Sequence, residues 1–183
     1  MRRGDDGYRG GYRGGAVRGA AATLAMATAL AGLRAGEIDS AIAGGSDSLC
    51  RLSYAGFNSL RAVDPKACRP FRSERERMSI GEGAAVLVLE TAAGARARGA
   101  RILGWLLGAG ASCDAHHMTA PDPQGAGIAR AVEAALADAG LAPAGIQFVN
   151  VHRPGQPHND PAEPTTTRAK PRPRGAPHAT SPA

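Results

Sequence analysis

The side chains able to move a proton or attack a carbonyl are few and widely separated. His152 closes the apolar segment IQFVNVH, two residues after Asn150. Histidine changes charge near neutral pH, so a strand-end position suits a general acid or base; its plainer use is to satisfy a backbone carbonyl. His117 and Thr119 stand in a polar stretch, DAHHMTAPDP, over residues 114–123. The three cysteines are Cys50, Cys68 and Cys113. Their spacing and odd number fit neither a disulfide framework nor a paired-cysteine zinc site, and a reducing cytoplasm is the expected compartment. No metal and no cofactor is implied.

These residues must be positioned by elements that the sequence pattern announces. Residues 20–34, AAATLAMATALAGLR, are almost all helix formers and are followed by the stop Ala35-Gly36. The apolar residues of that helix go all the way round, which predicts burial on most sides. Ile38, Ala41, Ile42 and Ala43 make a short apolar strand ending in a glycine pair, where another backbone or a ligand could approach closely. A short helix is expected around residues 53–61, then an ordered loop through CRPFRSERERMS. GEGAAVLVLE, continuously apolar over residues 86–89, predicts a strand buried on both faces. TAAGARARGAR reads as a short polar helix, and ILGWLLGAGAS from Ile102 as a strand whose glycines mark bulges or tight packing. Ile128, Val132 and Leu136 share one face of a helix over residues 124–139, with Gly140 as its stop. The last strand is IQFVNVH. Helices alternating with apolar strands give an α/β class with a largely buried sheet.

Charge separates this middle from the ends. The chain has 183 residues and a formal charge of +6, with only 4% aromatic residues, and glycine (25) and proline (13) together are about a fifth of it. Residues 1–18 carry five arginines against two aspartates, residues 161–183 carry four basic residues against one acid, and the middle balances 13 against 13. The basic surplus therefore belongs to the ends, and a nucleic-acid surface on the folded part is not expected. RGGYRGG leaves an Arg-Gly-rich RNA-binding segment as one alternative. The plainer reading of residues 1–18 and 164–183 is disorder, since so few apolar groups cannot repay the entropy of ordering them. No run reaches the roughly 18 apolar residues of a membrane span, and the first residues lack a signal-peptide core.

Four stretches in order carry a resemblance: AGEIDSAIAGGSDSL, DPKACRPFRSERERMSIGEGAAVLVLE, SCDAHHMTAP, and GIQFVNVH with NDPAE after it. Residues 19–163 resemble the β-ketoacyl-acyl-carrier-protein synthases, the condensing enzymes of fatty-acid and polyketide synthesis, which have a layered, thiolase-like α/β fold built from two similar halves. The resemblance implies an internal fragment. Residues 19–97 would be the end of the N-terminal half and residues 98–163 the beginning of the C-terminal half, with tails at 1–18 and 164–183. Both tails turn abruptly towards arginine, glycine, proline and alanine, as GC-rich codons do when read out of register, so frame-shifted ends around an authentic core are expected.

The family's chemistry can be carried over residue by residue. A cysteine opening a buried helix takes the acyl chain as a thioester, helped by the helix dipole and free backbone N–H groups. Counting back from the AGG of residues 43–45 places that position at Gly19, which has no thiol. Cys50, Cys68 and Cys113 lie elsewhere in the pattern, and none is expected to open a helix in the way the mechanism requires. His152 matches the first catalytic histidine, which donates to the thioester carbonyl of the malonyl unit. His117, Thr119 and Asn150 would line the substrate channel. After His152 the chain reads RPGQP where the family has a Gly-Thr-Gly-Thr-Pro turn. Glu82, Arg69, Pro70 and Phe71 are expected to be structural, a buried carboxylate and an arginine fixing the loop before a strand. The implied partners are acyl carrier protein, bearing substrate on phosphopantetheine, and a second copy in the homodimer of the complete family; no membrane is implied. An acyltransferase by descent, inactive for want of the nucleophile, is the expected function, with a non-catalytic partner of a full-length synthase as the alternative.

Overall fold

A computed structural model describes residues 20–117 and 120–162. Gly19, Thr119, Glu163 and the two segments read as tails, 1–18 and 164–183, lie outside the described residues.

The helices and the first two strands follow the sequence pattern in kind and order. Helix α1 spans Ala21–Arg34, strand β1 Ser40–Asp47, helix α2 Arg51–Ser59, strand β2 Gly83–Glu90, helix α3 Ala92–Ala97 and helix α4 Ala126–Ala139, with a 3-10 turn at Pro143–Gly145. The chain divides into two compact units. One holds the described residues up to Ser46 with Ala84–Leu106, and the other holds Asp47–Gly83 with the described residues from Leu107 onward.

In the first unit β1 and β2 form a two-stranded sheet. A Cβ on Gly44 would stand 2.1 Å from the Ala85 carbonyl oxygen, and one on Gly45 would stand 3.0 Å from the Ala22 Cβ. The glycine pair is thus where β2 and α1 come close, as its place in an apolar strand suggested. Gly36, at φ +66, ends α1 in the left-handed conformation that L side chains avoid. Thr91 caps α3 by accepting the Gly94 N–H at 3.1 Å, and Arg98 just past the helix donates from Nε to both Glu90 carboxylate oxygens, at 3.2 and 2.9 Å.

Burial differs from the expectation. In α1 only Ala29 is buried, so that helix is not enclosed on most sides. Strand β2 is exposed over its first six residues, with Val88 at 64%. An apolar run records that a surface can be buried, not that something lies over it. Among the described residues, the buried apolar side chains are Ala29, Ala43, Val63, Ala95 and Ala162, four of them alanines.

In the second unit, α4 packs against the segment that precedes it in the chain. Cβ atoms on Gly108 and Gly110 would stand 2.6 Å from the Ala139 nitrogen and 2.2 Å from the Ala131 oxygen. The segment is held there by the Ser112 hydroxyl on the Gly127 oxygen (2.6 Å), Arg130 Nη2 on the Cys113 oxygen (2.9 Å), and the Ala109 N–H on Asp138 (2.9 Å). Tight packing of these glycines was expected; a strand was too, and residues 102–112 form none. Residues 146–152, read as the last strand, form none either. Both segments are apolar and β-prone, but a strand needs a ladder partner, and among the described residues neither has one.

Asp122 accepts the Gln124 N–H at 2.9 Å and the Ala126 N–H at 3.3 Å, just ahead of α4, whose N-cap is Gly125. Gly140, at φ +65, ends it. The loop between α2 and β2 is ordered, as expected, and closed at its base by a parallel bridge between Val63 and Met78. Among the described residues, no helix is long and apolar enough to cross a membrane.

Candidate functional site

His152 is exposed and leads into residues 153–158, in which Arg153 has φ +49, Gly155 has φ +78 and residues 157–158 form a turn. Asn150 is also exposed. The turn is fastened by a carboxylate that is itself almost out of water. Asp160, 1% exposed, accepts the Gly155 N–H on Oδ1 at 3.1 Å and the Phe71 N–H on Oδ2 at 2.9 Å. Its own N–H donates to the Gln156 oxygen at 3.1 Å, opening a short helical turn over residues 159–162. Gly155 is required twice over: its backbone is left-handed, and a Cβ would meet the Arg77 oxygen at 2.9 Å. Gln156 Nε2 reaches Met78 Sδ at 3.8 Å.

The loop beneath this turn carries its own ion pair. Asp64, buried, accepts the Lys66 N–H at 2.9 Å and Arg69 Nη2 at 3.2 Å. The Lys66 N–H first, and then the Arg69 guanidinium, hold the Asp64 carboxyl below the ordinary carboxylate range. Arg69 thus fixes the loop as expected, but the carboxylate it meets is Asp64. Glu82 is exposed rather than buried, and accepts the Leu49 N–H at 3.1 Å. A carboxylate that caps a loop N–H needs no burial. Within the same loop the Arg75 guanidinium donates to the Arg72 oxygen at 2.9 Å.

His117 lines an open cavity of about 380 Å³ together with His116, His158, Pro121 and Pro157. His152 and Asn150 are not among its lining residues. The chain after His152 supplies Pro157 and His158 to the lining, so the two predicted histidine segments meet there and not through His152 itself. Among the described residues, no three of His, Cys, Asp and Glu are placed to share a metal ion.

Cys50 does open a helix: it is the N-cap of α2, with its Sγ accepting the Ser53 N–H at 3.4 Å and lying 3.2 Å from the Ser53 hydroxyl. That hydroxyl, and next the Ser53 N–H, lower the Cys50 pKa from the ordinary thiol value. Sequence reading passed over it because cysteine is not among the usual cap residues; the cue was Ser53 three residues on. Helix α2 has no buried residue, so Cys50 stands in water and not at the mouth of a buried helix. Asp160 was recognised as part of a pattern but not as the fastening of the turn. The cue for that was a glycine and an aspartate five residues apart after a histidine.

Comparison with known proteins adds the following. The family profile "Beta-ketoacyl synthase, N-terminal domain" matches residues 15–95, and "Beta-ketoacyl synthase, C-terminal domain" matches residues 103–175. A 3-oxoacyl-acyl-carrier-protein synthase 2 of Staphylococcus aureus is 40% identical over 134 residues, covering 70% of this chain and 33% of the relative. An ishigamide ketosynthase/chain length factor structure is 40% identical with a TM-score of 0.78, covering 83% of this chain and 38% of that one. A type II PKS acyl-carrier protein in complex with its ketosynthase bound to the hexaketide is 33% identical with a TM-score of 0.78, covering 80% and 38%. The chain thus spans about a third of the length of the curated relatives it matches.

Proposed function

Since the chain belongs to the β-ketoacyl synthase family, with the thiolase-like α/β fold of the ketosynthases, we propose that it is a condensing-enzyme unit acting on acyl and malonyl thioesters in fatty-acid or polyketide synthesis. The observation that carries this reading is the succession of both halves of one family along a single short chain, residues 15–95 and then residues 103–175. On the same basis the division near residues 97 and 98 separates the end of one half from the start of the other. Substrate arrives on the phosphopantetheine arm of acyl carrier protein, a partner that a related ketosynthase holds in its structure. The site of action is the cytoplasm.

His152 is the residue assigned to the chemistry. Its imidazole, exposed at the head of a fixed turn, donates a hydrogen bond to the thioester carbonyl of the malonyl unit and so stabilises the enolate left when carbon dioxide departs. His117, Thr119 and Asn150 contribute to the channel that receives the arm. Gly19 stands where the nucleophilic thiol is needed. The chain by itself therefore does not complete condensation.

Titration with malonyl-loaded acyl carrier protein tests this. Saturable binding is expected, weakened several-fold by His152→Ala, with no β-ketoacyl product when an acyl donor is added. Absence of any carrier binding, or formation of product, contradicts it.

One structural feature favours a second reading, a non-catalytic partner of a full-length synthase. Ile42 of β1 is 78% exposed and Val86 and Val88 of β2 are more than half exposed, an apolar surface suited to another protein. Co-purification with a complete synthase, without transfer activity of its own, would favour this over the first.

A further inference from the structure

We propose that Asp160 is a positioning residue for His152, acting through the backbone of the turn that joins them. The role rests on the assignment of His152 made above. A carboxylate is costly to bury unless its oxygens are satisfied, and in Asp160 each oxygen has its own backbone donor. Both donors are residues held at positive φ, Phe71 at +61 and Gly155 at +78. An N–H fixed by a charged acceptor holds its peptide plane, and at Phe71, a non-glycine residue at positive φ, that plane would otherwise tend to relax.

The two donors come from distant parts of the chain. Gly155 is three residues after His152, whereas Phe71 belongs to the loop closed by Val63 and Met78. One side chain therefore ties the histidine's turn to an ordered loop. Two neighbouring contacts set the same registry: Gly155 lies against the Arg77 oxygen, where no Cβ fits, and Gln156 reaches Met78. The tie ends where the imidazole begins. His152 itself is exposed, so its direction is set by the turn behind it.

A double-mutant cycle separates positioning from general support of the fold. The full chain and its His152→Ala, Asp160→Asn and doubly substituted forms are titrated with malonyl-loaded acyl carrier protein, while amide resonances of Phe71 and Gly155 are followed. Asn can accept one N–H but presents its own NH2 to the other. Asp160→Asn is expected to weaken binding several-fold, as His152→Ala does, and the double form to bind no more weakly than His152→Ala alone. Multiplying losses in the double form would overturn the proposal. A His152→Ala chain that binds like the parent would overturn the assignment of His152 and the positioning role with it; additive losses with His152→Ala effective would sink the positioning role alone. Should Asp160→Asn not fold, hydrogen exchange in the unsubstituted chain decides: slow exchange at both Phe71 and Gly155 is expected, and open-chain rates at either would overturn the tie.

Discussion

Cys50 and Gly155 show how much a single residue's neighbours decide. The lowered pKa of Cys50 comes from the Ser53 hydroxyl and then the Ser53 N–H, so its thiolate persists to lower pH than that of an ordinary thiol near 8.5. Alkylation of Cys50 by iodoacetamide, mapped by peptide mass, is expected to hold its rate at lower pH than a model thiol does. Ser53→Ala should move the profile upward; a profile indifferent to that change would show the serine has no hold on the sulfur. Gly155→Ala places a side chain on a left-handed backbone and against the Arg77 oxygen. The backbone strain alone is about 1–2 kcal/mol, and urea unfolding should show a loss at least that large. At this scale, His152 was singled out as a candidate because a histidine ending an apolar run is conspicuous. Asp160 was not, because the bonds that give it meaning reach a residue 89 positions away.

The elements were read well where local rules suffice and poorly where partners decide. Helices α1 and α4 followed from helix formers, periodicity and the glycines after them, and β1 and β2 from short apolar runs. Residues 102–112 and 146–152 have the same apolar character and no ladder, since pairing is a property of two segments and sequence pattern belongs to one. Gly44 is the element-scale test of the sheet. Gly44→Ala puts a methyl 2.1 Å from the Ala85 oxygen, so β2 must shift, at a cost on the order of 1–3 kcal/mol. Amide exchange in β2 should quicken; unchanged protection would mean the strands are not in this register. The Glu90–Arg98 pair offers a check on α3. Arg98 holds the Glu90 carboxyl below its ordinary value, so the pair's stabilisation is full above about pH 4.3 and is lost as pH falls through the lowered folded value. Arg98→Met should raise the Glu90 titration midpoint seen by carboxyl NMR, and an unmoved midpoint would assign the shift elsewhere.

For the molecule as a whole, family and burial point in different directions. The order of motifs identifies a β-ketoacyl synthase chain, while large apolar side chains such as Leu103, at 84% exposure, stand in water. Trp105, with Arg96 over its ring at 5.9 Å, is also exposed, and its fluorescence should be open to quenching by acrylamide. Strong protection would indicate that another surface covers it in solution. Burial was the least legible property, since the residues that would cover an apolar strand are not in the strand. The central claim is chemical and is the one proposed above: with glycine at residue 19, where the resemblance places the thiol, no acyl-enzyme is expected to form. Incubation with acyl-loaded carrier protein, followed by intact mass and peptide mapping, measures this most directly. The predicted result is an unmodified chain; a hydroxylamine-labile acyl group on Cys50, Cys68 or Cys113 would contradict it.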